Sequence, residues 1–219
     1  MTELTLPTAP IELTGSESRF TGPTSQPDDQ LIATLHGICE TITSATATAE
    51  ASRDWWPLAM HWSLTGSVPQ RAGAVCRPTD AQQVAAVLTA CSSHGVPVTA
   101  AGGRSGVSGA SVPVFGGVVL DLTAMQGIID IDAESGVVEV WAGTFGPELE
   151  TELRQRCAMS IGHFPQSFDI ATVGGWVACR GAGQYSTRYG KIDEMVVGLE
   201  VVLADGTVVC TGHGPAAAM

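Results

Sequence analysis

The stretch GHFPQSFDIATVGGWVACRGAGQYSTRYG, residues 162–190, carries more of the fold than any other part of the chain. Glycine stands at 162, 174, 175, 181, 183 and 190. Three of the ten basic residues, Arg180, Arg188 and Lys191, lie within or beside the stretch. Glycine lets backbone N–H groups come close to a ligand. Thr172-Val173-Gly174-Gly175 reads as the opening of a short helix, where N–H groups without intrahelical acceptors favour an anion. In a chain of net charge −12, basic residues gathered at such a turn point to a phosphate or pyrophosphate ligand. At this level the stretch specifies an anionic cofactor and no more.

A second glycine segment lies some 60 residues upstream, at Gly102-Gly103-Arg104-Ser105-Gly106-Val107-Ser108-Gly109. It follows the apolar run Val96 to Ala101, an expected strand, as a phosphate-binding loop should. It is neither GxGxxG opening a helix nor GxxxxGK[ST]. Arg104 and Ser105 stand where the dinucleotide pattern needs its tight-turn glycine, and no lysine follows. Pro113 and Gly116-Gly117 bar a long helix after it. A nest of successive N–H donors wrapping a pyrophosphate fits this loop better, and an ordinary glycine-rich turn is the plain alternative.

Working outward, residues 1–27 are rich in Pro, Ser and Thr without periodicity and are expected to form a mobile tail. Asp28 to Ile42 places Leu31, Leu35, Ile38 and Ile42 at helical spacing. Residues 28–70 form an N-terminal helical, Trp-rich segment holding Trp55, Trp56 and Trp62. These tryptophans read as packing residues, and Pro57 is expected to break any helix there. A βαβ pattern starts at Val75. Thr79 with Gln82 makes a capping box, Val84, Val87, Leu88 and Cys91 an apolar stripe, and Gly95 a helix C-cap. Val118 to Leu122, Ile128 to Ile131 and Val137 to Ala142 are expected strands, and Pro147 to Cys157 an expected helix. Met195 to Leu203 and Thr207 to Thr211 flank Asp205-Gly206, a two-residue hairpin signal.

With 22 acidic residues against 10 basic ones, the surface is unsuited to nucleic acid or to anionic membranes. No apolar run approaches a transmembrane length, and the N-terminus lacks the charge and apolar core of a secretory signal. A cytoplasmic location is the expectation. The six cysteines contain no CxxC pair and read as free, mostly buried thiols. His36 and Cys39 have helical i,i+3 spacing but no second ligand pair, so no metal site is expected.

The two glycine segments together resemble a known family. AGGRSGVSGA (Ala101 to Ala110), after Arg77-Pro78 and a helix ending HGVPV, is similar to the pyrophosphate loop of FAD-linked oxidases of the vanillyl-alcohol oxidase/p-cresol methylhydroxylase type. Pro165-Gln166-Ser167, Thr172 to Gly175, Arg180 to Gly183, Tyr189-Gly190 and Ile192 to Val197 resemble its flavin-contacting segment. The wording is most similar to the branch holding alkyldihydroxyacetonephosphate synthase and its bacterial relatives. The resemblance covers roughly residues 52–212.

That resemblance implies an α+β FAD-binding domain over residues 71–219, built as two α+β subdomains with an extended FAD between them. It implies pyrophosphate contacts at Gly102, Gly103, Arg104, Ser105, Gly106 and Ser108. Pro165, Thr172, Gly174, Gly175, Gly183 and Val197 would line the ribityl and ring portion, and Arg180 and Tyr189 complete the implied cofactor-binding set. A Cβ at Gly174 or Gly175 would take the space where backbone meets cofactor. No His or Cys occurs between Gly102 and Val118, so FAD is expected to bind non-covalently. His163 and Tyr185 are weighed as acid/base groups, with packing the preferred role for both, and the catalytic residues are not identified. Part of the basic group is free to pair with Asp193 and Glu194 instead. Family members continue well past the Asp205-Gly206 hairpin with a last flavin-binding strand and a substrate cap. The chain is therefore expected to be an N-terminal part, truncated inside its FAD domain, that holds flavin without turnover of its own. A small-molecule substrate, lipid-like for a synthase or a 2-hydroxy acid for an oxidase or dehydrogenase, is implied for the complete protein; an inactive fragment is the non-enzymatic reading.

Overall fold

The computed structural model describes residues 18–212. Residues 1–17 of the expected tail lie outside the described residues, as do residues 213–219. From Ser18 onward the chain is tied down: Arg19 and Phe20 donate to the Pro69 carbonyl at 3.1 and 2.8 Å, and Ser25 donates to the Phe115 carbonyl at 3.0 Å. Helix α1 (Asp29–Ile38) starts at Asp28, whose carboxylate accepts the Leu31 N–H at 2.8 Å, the usual work of an N-cap aspartate. The helix ends earlier than its periodicity suggests. At Cys39 the backbone turns extended and forms β1 (Glu40–Ile42), burying Thr41 and exposing Glu40 as an edge strand does.

Helix α2 (Ala45–Ala51) is followed by α3 (Pro57–Ser63). Pro57 opens this helix rather than breaking it, because a first-turn residue needs no N–H donor. Phe20, Trp56 and Trp62 pack together, with Trp56 and Trp62 edge-on at 5.6 Å, whereas Trp55 is 52% exposed.

Strand β2 (Ala74–Arg77), helix α4 (Ala81–Ser93), strand β3 (Val98–Ala101) and strand β4 (Val118–Asp121) complete the first α+β unit. The sheet order is β1-β2-β4-β3, with β1 antiparallel to β2 and the other three strands parallel. The α4 N-cap is Asp80, one residue beyond Thr79. Its carboxylate accepts the Gln83 N–H at 2.8 Å, and Gln83 reaches back to the Thr79 N–H at 2.9 Å. Val84, Val87 and Cys91 from α4 meet Leu31 and Leu35 from α1 over Cys76, Val118 and Leu120 of the sheet. Both faces of the central strands β2 and β4 are covered, which suits their near-continuous apolar runs. The six thiols are not mostly buried as expected: only Cys76 and Cys91 are, while Cys39 and Cys157 are half-buried and Cys179 and Cys210 exposed.

The second unit holds the hairpin β5 (Ile128–Asp132) and β6 (Val137–Val140), helix α5 (Gly146–Cys157), and the short helices α6 (Val173–Cys179), α7 (Ser186–Tyr189) and α8 (Ile192–Met195). Its core joins Leu149 and Leu153 of α5 to Ala171, Trp176 and Ile192, against Ile131, Val138 and Val140. The last hairpin pairs β7 (Gly198–Val202) with β8 (Val208–Gly212). Met195 therefore closes a helix instead of opening the strand. The turn takes three residues, Ala204 to Gly206: Gly206 N–H donates to Leu203 O at 2.9 Å with Gly206 at φ +87°, a left-handed position that favours glycine. Among the described residues no helix is long and apolar enough to cross a membrane, and no group of three or more His, Cys, Asp or Glu could hold a metal ion.

Leu35 is fully buried where α1 meets α4. Leu35→Ala should cost about 2–5 kcal/mol, read as a lower denaturant midpoint with an unchanged slope. A change within error would mean that α1 is not part of the first core.

Candidate cofactor-binding site

The two glycine segments meet where the two cores abut. Thr172 is the N-cap of α6, is almost fully buried, and accepts the Gly175 N–H at 3.4 Å. A Cβ on Gly102 would collide with the Thr172 hydroxyl, and one on Gly103 with the Ile170 carbonyl. Val173 and Gly174 N–H donate to Thr144 O and Ala142 O at 2.9 and 2.8 Å, and Phe145 bridges Thr172. The backbone of residues 170–174 is thus laid between the first loop and the segment that leaves β6.

Beyond the junction the first loop opens. Among the described residues, no acceptor is bonded to the backbone N–H groups of Arg104, Ser105, Gly106, Val107 or Ser108. Arg104 adopts φ +53°, a left-handed kink of the kind that turns successive N–H groups to one side. Its guanidinium faces away, donating to the Glu50 carbonyl at 2.6 Å. The Arg104 N–H is thus left without an acceptor, while its side chain anchors the loop to α2. The loop is also buttressed from the Trp-rich segment. Trp56 lies 3.5 Å from where a Gly109 Cβ would sit, and Asp54 faces Gly106 at 3.7 Å in the same sense. Asp54 is buried; one carboxylate oxygen accepts the Trp56 N–H at 3.0 Å and the other has no partner.

The second segment lines a cleft of about 530 Å³ bounded by Phe164, Pro165, Gln166, Phe168, Ala182, Gly183 and Gln184. Pro165 and Gly183 fall together here. Gly183 is held against the Phe164 backbone, where a Cβ would come within 2.6 Å. Gly174 lies tight against Ala142. A Cβ there would come within 2.8 Å of Ala142, and at Gly175 the nearest atom is the Thr172 hydroxyl at 3.3 Å. Val197, half exposed, stands at the entry to β7 with its carbonyl against Gly212.

An aromatic chain backs the cleft. Phe168 stacks on Trp176 at 5.9 Å, Phe164 packs on Phe168 at 4.8 Å, and Tyr185 meets Phe164 edge-on at 5.3 Å. Tyr185 and Tyr189 are both half exposed. His163 is 1% exposed and meets Trp176 edge-on at 5.1 Å. Neither of its ring nitrogens has a partner, nor does the Trp176 indole N–H. Burial holds the His163 ring below the usual imidazole pKa, so it is neutral and packed at pH 7.

The basic residues divide. Arg188 lies over the Tyr189 ring at 5.3 Å, and Lys191 pairs with Asp193 at 3.7 Å. Arg180 is exposed at the left-handed C-cap of α6, with no carboxylate partner among the described residues. Sequence reasoning missed Phe164 and Phe168 as cleft walls, Asp54 and Trp56 as loop supports, and Glu150. That buried carboxylate accepts the Ser160 hydroxyl and the Ile161 N–H, both at 3.1 Å, fixing the approach to His163. Its signal was a charge on the helix face that also carries Leu149 and Leu153.

Two predictions follow from this geometry. Gly103→Ala should destabilise by about 1–3 kcal/mol, since backbone must shift to admit the methyl group. An unchanged melting temperature would mean that the loops are not in contact. For His163, the unfolded imidazole titrates near 6.5 and the buried ring below that. As pH falls past about 6.5 the unfolded chain gains a proton that the folded chain refuses, so stability declines by up to about 1.4 kcal/mol per pH unit. His163→Phe should lose this part of the slope in melts between pH 7 and 5; identical profiles would place a partner on the ring.

Comparison with known proteins identifies the family. Residues 72–212 match the family model described as FAD binding domain. The uncharacterised FAD-linked oxidoreductase YgcU of Escherichia coli strain K12 is 43% identical over 152 residues, 68% of this chain and 30% of YgcU. The alkyldihydroxyacetonephosphate synthase of Trypanosoma brucei brucei is 30% identical over 161 residues, 71% of this chain and 25% of that protein. Among solved structures, an alkyldihydroxyacetonephosphate synthase superposes with a TM-score of 0.79 at 24% identity, covering 89% of this chain and 36% of that one. The chain spans less than a third of the length of these curated relatives.

Proposed function

The chain belongs to the FAD binding domain family, and from that premise we propose that it holds FAD non-covalently across the junction of its two glycine segments, for a FAD-linked enzyme of the alkyldihydroxyacetonephosphate synthase kind. The observation that carries the reading is the nest of unbonded N–H groups at Arg104 to Ser108, on a loop whose base touches the second segment at Ile170 and Thr172, taken with the cleft that the second segment lines. A diphosphate needs the nest and a flat ring the cleft.

In this reading Arg104, Ser105, Gly106 and Ser108 present backbone N–H groups to the pyrophosphate. Gly102 and Gly103 keep the loop against Ile170 and Thr172, where no side chain fits. Pro165 and Gly183, with Phe164 and Phe168, wall the ring portion and exclude water. Thr172, Gly174 and Gly175 fix the start of α6, while Tyr189 and Val197 would contact the flavin, as the resemblance implies. Arg180 supplies unpaired positive charge in a chain of net charge −12. When bound, FAD supplies the reactive centre, and the protein contributes orientation and electrostatics. The proposed substrate is lipid-like: a dihydroxyacetone phosphate backbone on which an acyl group is exchanged for an alkyl chain, as the resemblance to the synthase implies. No His or Cys lies between Gly102 and Val118 to make a covalent link to flavin.

The test is flavin uptake by the purified chain, followed by acid precipitation. Saturable binding with all yellow colour released to the supernatant is expected, and Gly103→Ala should bind at least about tenfold more weakly, a loss of about 1.4 kcal/mol. Colour retained in the pellet would overturn the non-covalent reading. Normal uptake by Gly103→Ala would remove the junction from the site.

A further inference from the structure

Two carboxylates are buried among the described residues, Asp54 and Glu150, and they are unlike. Glu150 is well matched, accepting from the Arg154 guanidinium, the Ser160 hydroxyl and the Ile161 N–H. Asp54 is 2% exposed, and only one of its oxygens is used: Oδ1 accepts the Trp56 N–H at 3.0 Å, while Oδ2 has no partner. Among the described residues no Lys, Arg or His pairs with it. The cations closest to it along the chain and on the loop are committed elsewhere, Arg53 to the Glu50 carboxylate at 2.7 Å and Arg104 to the Glu50 carbonyl at 2.6 Å. Burying a carboxylate without a counter-charge is costly, and such a group calls for an explanation.

The unused oxygen faces the first glycine loop. It lies 3.7 Å from where a Gly106 Cβ would stand and is the nearest atom to that point. Gly106 is also the middle of the five residues, Arg104 to Ser108, whose backbone N–H groups have no acceptor. A negative group therefore stands beside the stretch of backbone suited to an anion. A phosphate oxygen bonded to the Gly106 N–H would lie about 2.9 Å from that nitrogen. The two anions would then be closer than the roughly 10 Å over which salt screens exposed charges, and burial of the carboxylate weakens the screening further.

We propose that Asp54 sets the affinity of the cofactor site: its buried, unpaired carboxylate repels the diphosphate held by the first loop and keeps FAD exchangeable. The inference rests on the flavin reading and deepens it. The loop N–H groups attract the diphosphate as fixed dipoles, and Asp54 opposes them through space without touching the cofactor. Because the repulsion scales with ligand charge, the residue also discriminates among ligands. Riboflavin, which carries no phosphate, escapes it, whereas inorganic diphosphate, all charge and no ring, is disfavoured. The sign separates this role from that of a loop support. Removing a support weakens binding, but removing a repelling charge of the same shape strengthens it.

The experiment titrates FAD, riboflavin and inorganic diphosphate into the full chain and into Asp54→Asn at neutral pH, following flavin fluorescence or heat. Asparagine keeps the shape and an oxygen for the Trp56 N–H but carries no charge. Asp54→Asn should bind FAD about tenfold more tightly than the wild type, gain on inorganic diphosphate as well, and hold riboflavin within about twofold. Asp54→Ser, a second neutral side chain able to accept the Trp56 N–H, should move the same way, and Asp54→Glu, which retains the charge, should not. The melting temperature of ligand-free Asp54→Asn should be no lower than that of the wild type. FAD uptake by the wild type with equal or weaker binding by both neutral variants would overturn the proposal and leave the flavin reading standing. An equal gain for riboflavin would overturn it too, since the loop's shape and not its charge would then have changed. FAD uptake by neither the wild type nor the neutral variants would overturn both.

Discussion

The site depends on a contact with no clearance: the backbone at Gly102 and Gly103 lies directly against Ile170 and Thr172. Neither core brings this about alone. The first delivers the end of β3 to the junction, and the second delivers the turn that opens α6. Each segment is itself held rigidly. Thr144 and Ala142 accept N–H groups from Val173 and Gly174, and the Thr144 hydroxyl accepts the Gly127 N–H at 2.9 Å. Packed interiors transmit displacement rather than absorb it, so the spacing between loop and cleft is set by the cores and not by the loops.

Electrostatics enter afterwards and sparingly. An acidic chain that holds a diphosphate must supply local compensation, and lone cations on the surface contribute little. In the proposed site the backbone does most of this work. The N–H groups of Arg104 to Ser108 are fixed dipoles that need no counter-charge of their own. The side-chain cations nearby are mostly committed: Arg104 to Glu50, Arg188 to Tyr189, Lys191 to Asp193. Arg180 is the exception.

Much of this was legible in residues. The α4 stripe, the Gly95 cap, the proline-led α5 and the Thr172-capped α6 stand where periodicity and capping chemistry put them. The misreadings share a cause, since one local pattern can serve two structures. Leu31 to Ile42 keeps apolar spacing through a helix and into a strand, so the break at Cys39 left no mark. Proline stops a helix or starts one, and at Pro57 only the neighbours decide. Asp54 and Glu150 act through long-range partners, which no spacing rule reports.

The support for the first loop also bears on where a working unit begins. The matched family region opens at residue 72. Yet Glu50, Asp54 and Trp56, which hold the loop's arginine and glycines in place, all precede it. The segment between β1 and β2 is therefore a scaffold beneath the first loop. A minimal fragment drawn at the homology boundary would keep every glycine of both loops and lose the floor on which one of them rests.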